Sequence, residues 1–302
     1  MRFSVIIIFH NQSEFVRTAM DSALSQAIDG VEVIAVDDGS TDGTREVLNE
    51  YRGRARLILL DENCGACAAR NAGTEVATGE YLAYLDGDDA FLPWAIQTYS
   101  RIAETHEPSL MMGPMRWFEG AVPEPGPVPQ RVSCIRYEDY FAKERVVDVS
   151  ASAIVVRRAA IESVGGWEGF PVDDLDLLYK LGTADPFVQI TEPSTTWHRS
   201  HVGQIVRQSG QIITGAEWLI ANDKRGKYPG GNARRLDRRA CIGGIVIHWG
   251  RMHAQRGARG HALRFLVRHG PYVLAAVAKR AQRNIRGRKA PQIEALWTSA
   301  VS

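Results

Sequence analysis

Carboxylates in three short clusters are the residues of this chain best suited to chemistry. Asp86-Gly87-Asp88-Asp89 follows an apolar run. Asp86 and Asp88 are two positions apart, so an extended backbone turns both to one side. Two hard oxygen donors, with a glycine between them that admits a close ligand, suit a Mg²⁺ or Mn²⁺ ion that also holds a diphosphate. The same residues would serve as an Asp-rich turn, with Asp89 capping the helix that Pro93 opens. Asp37-Asp38-Gly39-Ser40 ends another apolar run. A carboxylate there can accept an N–H of uracil or guanine, or a ribose hydroxyl. Equally, Asp37 or Ser40 can cap the helix from Thr41 onward, with Gly39 as the turn. Asp173-Asp174 opens a helical pattern in which Leu177, Leu178 and Leu181 give a buried face. Carboxylates in that place cap free N–H groups and complement the helix dipole.

The elements that must carry these groups alternate regularly. Phe3–Phe9, Val31–Val36, Arg56–Leu60 and Tyr81–Leu85 are strand-like, and helical spacing fills Glu14–Gln26, Thr41–Tyr51 and Ala66–Ala77. Pro93 begins a further helix, where its missing N–H is harmless. Such alternation predicts β-α-β units and a mostly parallel sheet flanked by helices, with ligands beyond the carboxyl ends of the strands. Phe9-His10-Asn11, Asp37-Asp38 and Asp86-Gly87-Asp88 then share one rim. After Glu107 the pattern loosens. Leu110–Phe118 and Ser152–Val156 read as strands, Arg158–Val164 and Asp173–Leu181 as helices, and the proline-rich stretch 119–130 as a loop or lid. Beyond Gln204 the pattern is helical, broken at Pro229-Gly230-Gly231 and Gly270-Pro271.

Four segments in order, SVIIIFHNQSEFV, VIAVDDGSTDGT, ENCGACAARNAG and GEYLAYLDGDD, resemble the family 2 glycosyltransferases of GT-A fold, inverting enzymes that use nucleotide-sugar donors. The resemblance covers about residues 3–205. It implies that Asp38 contacts the donor base, that Asp86 lies near ribose and metal, that Asp88 ligates the metal directly, and that Arg70 lies near the donor base or phosphates. GGWEGFPVDDLDLLYKLG is similar to the family's acceptor-side segment, which implies a catalytic base at Asp174, with Asp173 as the alternative. TTWHRSHVGQ matches an Arg-x-His at Arg199 and His201, with His198 as a rival. A neutral imidazole there can complete a metal's ligand set, and a cationic one can offset leaving-group charge. The first motif departs from the family pattern. His10 stands in it, able to stack on a base and donate a hydrogen bond. Cys64 and Cys67 stand where small or polar residues are usual. Their spacing invites a redox or zinc reading, but there is no second pair.

The resemblance implies transfer of a sugar, with a UDP-sugar favoured as donor, to a glycan or lipid-linked acceptor hydroxyl in polysaccharide, glycolipid or glycoconjugate synthesis. The rivals are a nucleotide-sugar-binding protein without transferase activity and a nucleotidyltransferase. The latter would place a glycine-rich basic loop where this chain has His10-Asn11-Gln12. The expected organisation is a catalytic domain over 1–205, with a nucleotide-binding half (1–107) and an acceptor half (108–205), and a basic helical region over 206–302. Charge divides the same way. Residues 1–223 carry 18 Lys/Arg against 33 Asp/Glu, and the remainder carry 18 against only Asp237 and Glu294. Within 258–289 there are nine Lys/Arg and no acid. With Ala262, Leu263, Phe265, Leu266, Val273, Leu274 and Val277 this composition suits either an anionic membrane face or a solvated helical cap. No nucleic-acid-binding motif accompanies it. Four cysteines are too few for a disulfide scaffold, the run Val5–Phe9 is shorter than the roughly 7–15 residues of a secretory core, and no stretch reaches the ~20 of a spanning helix. The expected location is cytoplasmic, with peripheral contact at the inner face of the membrane.

Overall fold

The β-branched run FSVIIIF forms β1 (Phe3–Phe9), which lies inside the main sheet with parallel neighbours on both sides. The computed structural model describes residues 2–26, 28–143, 149–169, 171–200, 209–285 and 294–297. After β1 come α1 (Val16–Leu24), β2 (Val31–Asp38), α2 (Thr44–Asn49), β3 (Arg56–Leu60), α3 (Ala66–Val76) and β4 (Tyr81–Asp86). Next are β5 (Ala90–Phe91), α4 (Ala95–His106), β6 (Leu110–Met112), β7 (Met115–Phe118), β8 (Arg131–Tyr137) and β9 (Ile154–Arg157). The chain continues through α5 (Arg158–Ser163), α6 (Asp173–Lys180), β10 (Phe187–Glu192) and β11 (Thr196–Arg199). Four helices, α7 (Ser209–Lys224), α8 (Arg235–Gln255), α9 (Arg259–Arg268) and α10 (Gly270–Ile285), precede β12 (Glu294–Trp297).

A nine-stranded sheet has the order β12-β8-β10-β6-β9-β4-β1-β2-β3. Only β8 and β9 run against the other strands, so it is mixed and mostly parallel. Both faces are covered. Ile6 enters one hydrophobic cluster while its neighbours Val5 and Ile7 enter the other, the period-two alternation of a strand buried on both sides. Helix α3 packs close against β1 and β2 at Gly73, where an added Cβ would lie 2.5 Å from Ile6 Cγ2. The C-terminal helices join the same body: Ile242, Val246, Phe265 and Tyr272 share a cluster with Ile6, Tyr84 and Leu177.

The first hundred residues follow the periodicity closely, and the next fifty do not. The strand expected over Leu110–Phe118 is two strands in two sheets. β6 belongs to the large sheet, and β7 to a small one of order β5-β11-β7. The break falls at Gly113-Pro114. A Cβ on Gly113 would collide with Thr195 and Tyr99, and Pro114 has no N–H for a ladder. Strand β9 starts at Ile154 rather than Ser152, because Ala151–Ala153 form a 3₁₀ turn whose Ser150 side chain accepts from Ser152 N–H. Strand β8 was not legible as a strand. It pairs antiparallel with β10, and Val132, Cys134 and Ile135 are buried. Residues 119–130 carry no helix or strand, as the prolines require.

Candidate functional site

Strands β1, β2 and β4 end side by side, with Phe9 paired to Asp37 and Ile8 to Asp86, so the sheet itself brings the first and third motifs together. At the β2 end both oxygens of the Asp38 carboxylate accept backbone N–H groups, from Cys64 at 2.7 Å and Gly65 at 2.8 Å. Two of its roughly four lone-pair sites are thereby used. The bonds hold the 61–65 segment against β2, where Gly39 sits at φ +67° with Glu62 and Asn63 backbone packed on it. Only glycine fits such a position without strain. His10 Nδ1 donates to the Asp38 carbonyl at 2.7 Å, and Nε2 accepts from Asn63 Nδ2 at 2.9 Å, a pattern that fixes the ring and its tautomer. His10 and Asp38 thus meet, as expected. Asp37 points inward, accepting from Ser40 N–H and from Arg45 Nε at 2.6 Å, so it holds the turn. Ser40 accepts from Asn11 N–H rather than capping α2, whose N-cap is Gly43, and Asp42 accepts from Thr44 N–H at the start of that helix.

Arg70 occupies a place that its sequence context alone did not define. It is buried on α3, its guanidinium 4.7 Å from the centre of the Trp167 ring. One end donates to Asp86 at 2.7 Å and the other to Asp173. A single cation therefore ties the β4 carboxylate to the start of α6, which lies 103 positions after Arg70 itself. Burial opposes the Arg70 charge, but the two flanking carboxylates outweigh it and raise its pKa further. Asp173 is consumed in this pair. Asp174, next to it, is partly exposed, and its Oδ1 accepts its neighbour Leu175 N–H at 2.6 Å. Desolvation, with the Asp173 charge close by, pushes the Asp174 carboxyl up to about 7. A carboxylate poised near neutrality is suited to take a proton.

The last acid of the DGDD segment, Asp89, is fully buried and does not cap the helix after Pro93, whose N-terminus has no side-chain cap. Asp89 instead accepts from Ser152 Oγ at 2.6 Å, His198 Nδ1 at 2.8 Å and Arg199 N–H at 2.9 Å. It fastens β11 to the acidic turn. Burial disfavours the charged form of His198, but the bond to Asp89, with Asp86 and Asp88 nearby, raises its pKa. Arg199 donates to the Asp88 carbonyl at 2.8 Å and to Gly120, and its guanidinium lies 4.5 Å from both the Phe15 and Phe118 ring centres. It links the acidic turn to the proline-rich loop. His201 lies outside the described residues. Trp167 and Asn63 escaped the sequence reading, which gave Asp89 only as a helix cap. The signals were the extra Asp after DGD and the Trp of GGW, whose partners lie far away in sequence.

Among the described residues no three His, Cys, Asp or Glu side chains form a ready metal cage. Asp86 and Asp88 are both partly exposed at the rim. One or two carboxylates, completed by water and substrate phosphates, are the usual protein share of a Mg²⁺ site at a nucleotide, so the residues present fit such an ion. Asp86 Oδ1 is bonded to Arg70. Cys64 is an exposed free thiol and Cys67 a partly buried one; neither is in a disulfide.

The family model described as Glycosyl transferase family 2 matches residues 4–165. The chain is 33% identical over 105 residues to the Escherichia coli UDP-Glc:alpha-D-GlcNAc-diphosphoundecaprenol beta-1,3-glucosyltransferase WfaP, a match covering 34% of this chain and 42% of that protein. It spans well under half the length of the curated relatives it matches. In fold it is similar to Staphylococcus aureus TarS 1-349, crystallised with UDP-GlcNAc, with TM-score 0.57 and 15% identity over 99% of this chain and 98% of that one. It is similar too to the mannosyltransferase PcManGT of Pyrobaculum calidifontis, in complex with GDP-Man and Mn²⁺, with TM-score 0.54 and 17% identity over 93% and 88% of the two chains.

Proposed function

The chain belongs to glycosyl transferase family 2, and from that premise we propose that it moves a sugar, with inversion, from a nucleoside-diphosphate donor to an acceptor hydroxyl. The observation that carries the reading is the Arg70 bridge, which sets the Asp86 end of the acidic turn and the Asp173-Asp174 pair on opposite ends of one guanidinium. A donor lying along Asp38, Asp86 and Asp88 would then present its anomeric carbon within reach of Asp174. Asp174 accepts the proton of the acceptor hydroxyl as it attacks opposite the diphosphate. His10 and Asp38 bind the base, and Asp38 also keeps the 61–65 segment in place. Asp88, with Asp86, would hold a divalent cation, Mg²⁺ or Mn²⁺, which supplies charge neutralisation at the leaving diphosphate. His198, oriented by Asp89, and Arg199 add positive charge on the same side. UDP is the favoured nucleotide, in keeping with the donors named for WfaP and TarS, and the acceptor is a glycan or a lipid-linked glycan in polysaccharide or glycoconjugate synthesis. The catalytic unit is proposed to span 1–205, followed by the basic helical region.

The test is a panel of nucleotide sugars, followed for transfer to lipid-linked and free glycan acceptors. Neither Asp173 nor Asp174 caps α6, whose N-cap is Val172 with no side-chain bond, and Asp174→Asn keeps the shape and an Oδ1 able to accept from Leu175 N–H. It is expected to bind donor as the wild type does and to transfer sugar about 10²–10⁴ times more slowly. Wild-type transfer by that variant would place the base elsewhere. Donor binding without any product in the wild type would favour a binding protein.

A further inference from the structure

The sequence left the basic stretch 258–289 undecided between a membrane-facing surface and a solvated cap. Each helix buries one face on α8. Ala262 and Phe265 of α9, and Tyr272 and Ala275 of α10, are buried, and Leu266 and Tyr272 lie against Gly250 and Gly243 of α8. A solvated cap would put polar side chains on the opposite faces. Instead Leu263 and Val267 on α9, and Leu274 and Val277 on α10, are each more than half exposed. These are four of the seven large hydrophobic side chains exposed among the described residues, all within fifteen positions. Spacings of four and three keep each pair on one helix face.

The charges around them differ from those deeper in the region. Arg234, Arg238 and Lys279 are tied to Asp139, Asp223 and Asp237, and Arg268 pairs with Glu217. These ion pairs compensate part of the region's positive charge. Arg259, Arg264 and Arg280 are exposed and carry no ion pair among the described residues. Exposed aliphatic side chains among uncompensated arginines match a surface that is apolar beneath and negative above. A second copy of the chain would bring like charges together on this face, which disfavours self-association.

We infer that the outer faces of α9 and α10 dock on an anionic lipid surface, inserting Leu263, Val267, Leu274 and Val277 while Arg259, Arg264 and Arg280 meet headgroup phosphates. The docking goes beyond the transferase reading and does not depend on it. It would hold the enzyme at the plane where a lipid-linked acceptor is found.

Full-length protein, without donor or acceptor, is mixed with vesicles of phosphatidylcholine alone or with added phosphatidylglycerol, and sedimented. Binding is expected to the anionic vesicles only, with release as salt rises past 0.15 M, where the screening length is about 8 Å. Each neutralised arginine near the surface should weaken binding about fivefold, so Arg259→Gln/Arg264→Gln/Arg280→Gln should lower affinity by roughly two orders of magnitude. Leu263→Ser/Val267→Ser/Leu274→Ser/Val277→Ser should also weaken it, while the exposure of all four sites leaves the melting temperature near wild type. Four results would overturn the inference: binding to neither vesicle, equal binding to both, anionic binding that both variants retain in full, or a solution dimer that the serine variant dissociates.

Discussion

At the scale of single residues, Asp174 and Asp173 are neighbours with different environments. Asp173 is locked to Arg70, whereas Asp174 has only its adjoining backbone N–H and a carboxyl held at about 7. Transfer should therefore rise with pH through about 7 and level off above it, since only the carboxylate accepts a proton. The same shift has a stability sign. An unfolded aspartate titrates near ~3.9, so the folded chain binds this proton more tightly. The associated stability is fully present below about 4 and is lost as pH rises through about 7. In denaturant melts, Asp174→Asn should gain on the wild type between pH 5 and pH 8. An unchanged gap would mean that the carboxyl is not held there. Asp173→Asn should instead act on stability. Removing one partner of a buried ion pair costs about 3–5 kcal/mol, so this variant should melt well below Asp174→Asn. At the acidic turn, Asp88→Ala should weaken donor affinity measured with Mn²⁺ at least tenfold and leave the melting temperature nearly unchanged. Wild-type affinity unaltered by excess chelator would remove the metal from the scheme.

At the scale of elements, one acid joins α6 to the C-terminal helices. Asp176 Oδ1 accepts from Tyr228 OH at 2.6 Å and from Trp218 Nε1 and Asn222 Nδ2, both at 3.0 Å. Asp176 and Asn222 are wholly buried and Tyr228 nearly so. Asp176→Ala would leave three donors without their acceptor, at about 1–3 kcal/mol for each buried group. Urea unfolding should register a loss of about 3 kcal/mol or more. Because α6 also carries Asp174, the rate should fall as well, although no catalytic group is altered. A melt like that of the wild type would show that α7 is held by packing alone.

For the molecule as a whole, the opposite charges of the two parts of the chain meet in part inside the fold. Arg234 reaches Glu138 and Asp139 across the fold, and Arg238 and Tyr272 share Asp223. Ile242, Val246, Phe265 and Tyr272 complete the cluster that covers one face of the main sheet. A chain ended after Gly226 would expose that cluster and strip Asp223 of its partners. It is expected to be poorly soluble or to lose a cooperative melt, measured against the full chain under the same conditions. A soluble, cooperatively melting product would make 227–302 an appendage. No helix among the described residues is long and apolar enough to cross a membrane.

The sequence by itself determined the β-α-β alternation, the shared rim of His10, Asp38 and Asp86, and the family. Strand and helix periods are local, and each motif lies within about a dozen residues of the element that presents it. It also marked Asp173-Asp174 as a site of interest. Tertiary structure alone decided which of that pair is engaged, because the Arg70 bridge joins residues that no local pattern relates. It likewise turned Asp89 from an expected cap into the anchor of His198, 109 positions away, and divided Leu110–Phe118 between two sheets around Gly113-Pro114. Hydrogen bonds between distant side chains, and the collision of a Cβ with Thr195 and Tyr99, depend on how the layers stack, a property written in no single segment.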